Sequence, residues 1–202
     1  MTRSQIEGFF RVLAKELGEP TVVVLTGAAA GTLWGSPRPS RDVDFCIRPA
    51  RETAATWEKI EGAVDRTVKL TGITANYAKD IDRWGTISLM DYWEKAVSYR
   101  QFGSLKLLLM DPAYWTLGKM GRYLESDVRD LVAVLSRKKI SAERLVKLWA
   151  RALRRSPPSA DVFQFRRQVE YFLKHHGRRV WGPRFTSEQA IRLFHQEAGI
   201  SP

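Results

Sequence analysis

The chain opens with apolar positions broken up by charges. In MTRSQIEGFFRVLAKELGE that interruption predicts an amphipathic helix and argues against the unbroken apolar core of a signal peptide. Glu19-Pro20 breaks the pattern, and TVVVLTG, rich in valine, reads as a buried strand. AAAGTLW then predicts a helix and GSPRPS, with two prolines, a loop. A second strand runs from Asp42 to Arg48, and a helix from about Ala50 to Lys69 carries Trp57, Ile60, Val64 and Val68 at helical spacing. ITANYA, WGTISLM and SLKLLLM read as three further strands separated by polar or glycine-containing turns. From Pro112 the pattern turns helical: AYWTLGKMGRYL, SDVRDLVAVLSRK, then SAERLVKLWARALRR, with Ser126 and Ser141 as N-caps of the last two. RRSPPSAD breaks the run before two more helices, near Val162 to His175 and from Ser187 to about Ala198.

Strands with helices come first and only helices follow. That order predicts an α/β (α+β) fold: a mixed sheet flanked by helices over residues 1–110, then a helical bundle over residues 111–202. With 202 residues, 44% of them apolar and seven tryptophans, the chain can build a sizeable core. Its longest apolar stretch, Val22 to Trp34, is interrupted by Gly27 and Gly31 and is too short to cross a bilayer, so no membrane partner is expected. The single cysteine, Cys46, has no partner for a disulfide, which suits a reducing cytoplasm. Three histidines (His175, His176, His195) and one cysteine offer no zinc-ligand spacing, and the histidines read as helix-end or surface residues.

Charge changes this picture once it is located. Residues 1–136 balance to +1, residues 137–184 carry +11 with only Glu143, Asp161 and Glu170 as acids, and the remainder carries −1. The whole excess lies in one segment, including Arg151, Arg154, Arg155, Arg166, Arg167, Arg178 and Arg179. One reading is a solvated helical face. The other is a polyanionic partner, with RNA the leading candidate, because a segment so one-sided repels itself unless an anion is near. The same charge argues against a polycationic small-molecule substrate such as an aminoglycoside.

Candidate chemistry sits in RDVDFCI. Two residues apart in a strand, Asp42 and Asp44 share a face and stand about 6.5 to 7 Å apart, while Val43, Phe45 and Ile47 take the other face. Two carboxylates on one face repel each other and lose hydration unless a cation bridges them. Magnesium, which takes one or two protein carboxylates plus substrate phosphates, suits that spacing, and manganese is a substitute. Upstream, LTGAAAGTLWG runs from a strand through Gly27 and Ala28 into small residues that open a helix, a turn whose N–H groups can approach a phosphate. Arg38, Ser40 and Arg41 lie just before the carboxylates, where charge and a hydroxyl can meet phosphate oxygens.

Gly27-Ala28, Gly35 and then Arg38-x-Ser40-x-Asp42-x-Asp44 resemble the opening of the DNA polymerase β-like nucleotidyltransferases. The resemblance is to bacterial minimal members related to the AbiEii-type toxin nucleotidyltransferases of toxin–antitoxin systems. It continues through LLLMDPAYWTLGKMGRYLESDVRDLVAVL, with Lys119 in the family's lysine place and Asp127, Asp130 and Leu131 in its D-h-x-D-L helix, and covers about residues 21 to 135. It implies a nucleotidyltransferase-type sheet and a magnesium-dependent transfer of a nucleotide from an NTP. The implied acceptor is RNA, especially tRNA, or a partner protein, with an antitoxin as a further partner. Lys119 is then a charge on the nucleotide's phosphates, supported by Asp127, Arg129 and Asp130. The plain alternatives are a surface lysine and two acids placed well in a helix's first turn.

Two departures stand out. Ala28 occupies a place where the family prefers glycine or serine. A third carboxylate, which these enzymes often carry on a neighbouring strand, is missing. Asp80 and Asp82 in AKDIDRWG are the nearest candidates, with a solvated turn before Trp84 as the alternative. A catalytically silent nucleic-acid-binding protein of the same fold is the rival reading.

Overall fold

The computed structural model describes residues 1–81, 87, 88 and 91–200. The chain divides into two compact units. One comprises Met1–Leu33, Arg38–Ile81 and Trp93–Asp111; the other comprises Trp34–Pro37, the described residues between 87 and 92, and the chain from Pro112 onward.

The first unit is a five-stranded mixed sheet with helices. Helix α1 (Arg3–Leu17) starts where the Thr2 hydroxyl accepts the Gln5 N–H and the Gln5 side chain accepts the Thr2 N–H, a reciprocal cap. Strand β1 (Thr21–Thr26) leads directly into helix α2 (Gly27–Trp34), and β2 (Asp42–Pro49) follows. Helix α3 (Ala54–Thr71), capped by the Thr53 hydroxyl, leads to β3 (Thr74–Ala78), and β4 (Val97–Phe102) and β5 (Leu105–Leu109) complete the sheet.

The strand order is β3-β2-β1-β5-β4. Strand β1 pairs antiparallel with β2 and parallel with β5, β2 pairs parallel with β3, and β4 pairs antiparallel with β5. The valine-rich β1 lies at the centre, where Val23, Val24 and Leu25 are fully buried. Helix α1 packs beside α3 and buries Ile6, Phe9, Phe10 and Leu13. Phe9 and Phe10 meet Phe45 of β2 at 6.2 and 5.7 Å between ring centroids, and each ring so buried contributes roughly 1.5–3 kcal/mol.

The second unit, among its described residues, is helical: α4 (Pro112–Arg122), α5 (Glu125–Lys138), α6 (Ala142–Arg155), α7 (Ala160–Trp181) and α8 (Ser187–Ala198). Trp149 is fully buried, and its indole N–H donates to the Thr116 hydroxyl at 2.8 Å. Phe165, Phe172 and Phe194 fill the same core.

The sequence pattern and the structure differ in several places. Helix α3 begins at Ala54 rather than Ala50, because Thr53 supplies the cap. Ser126 lies inside α5; the helix starts at Glu125, and the Asp127 carboxylate reaches back to the Leu124 N–H at 3.3 Å. Helix α7 runs on past His175 to Trp181. Strand β4, absent from the sequence expectation, pairs with β5 through the two-residue turn Gly103-Ser104, where Gly103 takes φ +54°, a conformation that favours glycine. The strand expected at WGTISLM lies mostly outside the described residues, and Ile87 and Ser88 are not in a strand. Among the described residues, no helix is long and apolar enough to cross a membrane.

Candidate active site

Strand β2 alternates as its sequence requires. Val43, Phe45 and Ile47 are fully buried, while Asp42 and Asp44 are half-buried on the other face with Cys46 further along. The register decides what these carboxylates meet. Thr26, the last residue of β1, pairs with Asp44, so the chain turns into α2 beside that carboxylate. Gly27 takes φ +63°, and a Cβ placed there would lie 2.0 Å from Asp44 Oδ2. Only glycine lets backbone and carboxylate approach so closely. The glycine bend and the aspartate therefore form one feature.

On the other side of β2, Asp44 pairs with Asn76 and Asp42 with Thr74. The Asn76 amide nitrogen donates to Asp44 Oδ1 at 2.9 Å and to Asp42 Oδ2 at 3.3 Å. Its two hydrogens thus bridge the two carboxylates. Asn76 was not singled out from the sequence. The signal that could have found it is strand pairing, because a parallel β3 places its polar position beside Asp44.

The other predicted residues separate into several groups. Ala28 follows Gly27 in the first turn of α2, and its carbonyl accepts the Thr32 hydroxyl at 3.1 Å. Ser40 is buried, and its hydroxyl donates to the Asp42 carbonyl at 2.7 Å, fixing the entry to β2 instead of facing a ligand. Arg41 is exposed beside Asp42; Arg38 is half-buried, and its carbonyl accepts a second bond from the Thr32 hydroxyl at 3.3 Å. Asp80 follows the end of β3, two residues past Ala78, which pairs with Cys46. Strand β3 itself ends about 7 Å beyond Asn76, and the chain bends at Lys79. Asp80 forms no metal-holding group of three with Asp42 and Asp44. Asp82 lies outside the described residues, and among those described no cluster of three His, Cys, Asp or Glu side chains forms.

In the helical unit, Lys119 is 4% exposed, and its ammonium donates to Asp127 and Asp130, each at 2.9 Å. Arg122 adds two bonds to Asp127 at 2.7 Å, and the Ser36 hydroxyl donates to Asp130 at 2.6 Å. Burial alone would raise the Asp127 carboxyl, but hydrogen bonds from Arg122 and Lys119, with their charges, hold it below the usual carboxylate range. Asp127 and Asp130 do hold Lys119, as one of the sequence readings had it. The lysine's charge is nevertheless neutralised there, which does not fit a phosphate-facing role. Arg129 stands apart, exposed and paired with Glu125 at 3.2 Å, so it does not support the lysine.

The basic segment also divides. Arg151, Arg154 and Arg155 are exposed on α6, and Arg167, Arg178 and Arg179 on α7. Arg166 is the exception, because it bonds Glu170 at 2.9 Å, and Glu170 also meets His195 at 2.6 Å.

No family model matches the chain, and comparison with curated proteins and with solved structures found no match. The reading of the site therefore rests on its own geometry. Two half-exposed carboxylates on one strand face, beside a glycine bend that opens a helix, are oxygen donors of the kind a hard divalent cation takes. Two such ligands suffice for magnesium when a substrate's phosphates complete the shell.

Proposed function

We propose that the chain is a divalent-metal-dependent nucleotidyltransferase that moves a nucleotide from an NTP to RNA, with tRNA the leading acceptor. The observation that carries this reading is the contact between Gly27 and the Asp44 carboxylate, with Asp42 bridged to it through Asn76. The likeness of Arg38-x-Ser40-x-Asp42-x-Asp44 to the polymerase β-like enzymes supports it, and so does the mixed sheet that carries the two aspartates.

Asp42 and Asp44 would hold magnesium or manganese, which supplies charge neutralisation at the phosphoryl group. Gly27 leaves room for the Asp44 carboxylate at the start of α2, and the backbone N–H groups of that helix start would receive the phosphates. The acceptor's hydroxyl forms a bond to the α-phosphorus, the α–β anhydride bond breaks, and pyrophosphate leaves with that electron pair while the hydroxyl proton passes to water. Positioning and charge do most of the work in such a transfer. Lys119 has no part in this reading. The resemblance to toxin enzymes adds an acidic antitoxin as a further partner.

Incubation with each α-labelled NTP, Mg²⁺ and total RNA should label small RNA with the wild type and not with Asp44→Asn. Equal labelling by both would remove Asp44 from the chemistry. One observation favours a second reading, a nucleic-acid-binding protein without transfer activity: β3, the neighbouring strand, offers the amide of Asn76 beside the pair, whereas the enzymes that the motif resembles often carry a third acid on such a strand. Under that reading Mg·NTP leaves the melting temperature unmoved while RNA raises it.

A further inference from the structure

Helix α7 buries one stripe, Phe165, Val169, Phe172 and Leu173, as its spacing requires. A second stripe faces solvent: Arg167, Tyr171, Lys174 and Arg178, with His175 and Arg179 beside it. Tyr171 is 52% exposed, an unusual place for an aromatic ring on a helix with a full core face. Its ring lies 4.1 Å from that of His175, tilted by 31°, and Tyr123 meets it edge-on at 6.4 Å. The ring is thus supported from the protein side and left half open. Among the described residues, none of Arg167, Lys174, Arg178 and Arg179 makes an ion pair. The helix's two acids lie elsewhere, Asp161 in the first turn and Glu170 on Arg166 and His195.

We propose that this stripe binds unpaired RNA, with a base stacked on Tyr171 and flanking phosphates on Arg167, Lys174 and Arg178. Along the helix, Arg167 stands about 6 Å before the ring and Arg178 about 10 Å beyond it. A supported aromatic between cations is the arrangement that holds single strands, because every base offers a face to stack and every linkage a charge. An acidic polypeptide would use the cations but has no need of the ring. The proposal rests on the reading of RNA as acceptor, and it deepens that reading by naming where and in what form the RNA is held.

The test measures binding rather than transfer. The full-length chain is titrated against a fluorescein-labelled oligouridylate by anisotropy, without nucleotide, across a range of salt. Tyr171→Ala should weaken binding about 5- to 140-fold with the salt slope unchanged, and Tyr171→Phe should retain wild-type affinity. Arg167→Gln with Arg178→Gln should flatten the slope by about 1.4. The proposal is overturned if Tyr171→Ala binds like wild type, if the Phe variant is as weak as the Ala variant, or if the arginine pair leaves the slope unchanged. It is also overturned if polyglutamate competes as well as RNA, which would point to an acidic protein. All three substituted positions are exposed, and thermal melts confirm folding. Labelling lost with binding intact would sink the transfer reading alone, and the converse would sink this one alone.

Discussion

Replacing Gly27 by alanine should cost far more than an ordinary surface substitution, and the structure sets the size. At φ +63° an L side chain is strained by about 1–2 kcal/mol. The new Cβ would also sit 2.0 Å from Asp44 Oδ2 and 2.9 Å from its Cγ. Non-bonded heavy atoms are comfortable near roughly 3.5–4.0 Å, so the carboxylate must withdraw by more than an ångström. That movement strains its hydrogen bond from Asn76 and adds about 1–3 kcal/mol, the usual range for forced overpacking. The combined loss is about 2–5 kcal/mol, read from urea denaturation followed by the fluorescence of the seven tryptophans. A double-mutant cycle isolates the contact. In an Asp44→Ala background the oxygen and Cγ are gone, and what remains is the Asp44 Cβ at 3.0 Å, which needs a shift of a few tenths of an ångström. Gly27→Ala should then cost about 1–2 kcal/mol, leaving a coupling of about 1–3 kcal/mol. If the cost is the same in both backgrounds, the glycine bend and the carboxylate do not touch, and the site as described does not exist. Where folding survives, the displaced carboxylate should also lower transfer by about 100-fold.

The buried cluster of the helical unit supports two further expectations. Lys119→Met leaves Asp127 with Arg122 and Asp130 with Ser36, but removes the cation between them, and should cost about 3 kcal/mol, seen as a fall in melting temperature of roughly 6–12 °C; a loss under about 1 kcal/mol would contradict the pairing. Acid should weaken the same unit: because the folded carboxyl of Asp127 is held below its ordinary value, its stabilisation is present at neutral pH and is lost as pH falls below about 4 through the folded value. Melting curves between neutral and acid pH check this, and Asp127→Asn should flatten the acid limb; an unchanged limb would assign the acid sensitivity to other groups.

What could be read from the chain, and what could not, follows from where each signal resides. Strand β1, the turn into α2 and strand β2 were legible because each is marked by residue type alone: a valine run, a glycine before alanines, and apolar residues alternating with acids. Strand β4 was not, since VSYRQF lies at the sheet edge with only Phe102 buried, and an edge strand needs no apolar run. The hairpin turn at Gly103-Ser104 was its one clear mark. Helix α7 extends past the histidines His175 and His176, which resemble an ending, because buried Gly177 and half-buried Trp181, whose ring meets Phe172, continue its inner side.

The site residues fail or hold for a related reason: sequence displays charges but not their partners. Asp127 and Asp130 share a face of α5 by spacing alone, but only packing reveals that Lys119, at the end of α4, is buried between them. A buried ammonium beside two buried carboxylates is bound by the cost of leaving any of the three uncompensated, so its charge belongs to the architecture of the helices. Asn76 illustrates the converse, since a neutral amide draws no notice in a search for acids and bases, yet the register of β3 gives it both carboxylates. Tyr171 completes the argument. Spacing sets it on the charged face of α7, and its exposure beside cations that make no ion pair marks it as a surface for something outside the chain. Residue type locates chemistry; what each group neutralises decides whether that chemistry is turned inward to hold the fold or outward to a ligand.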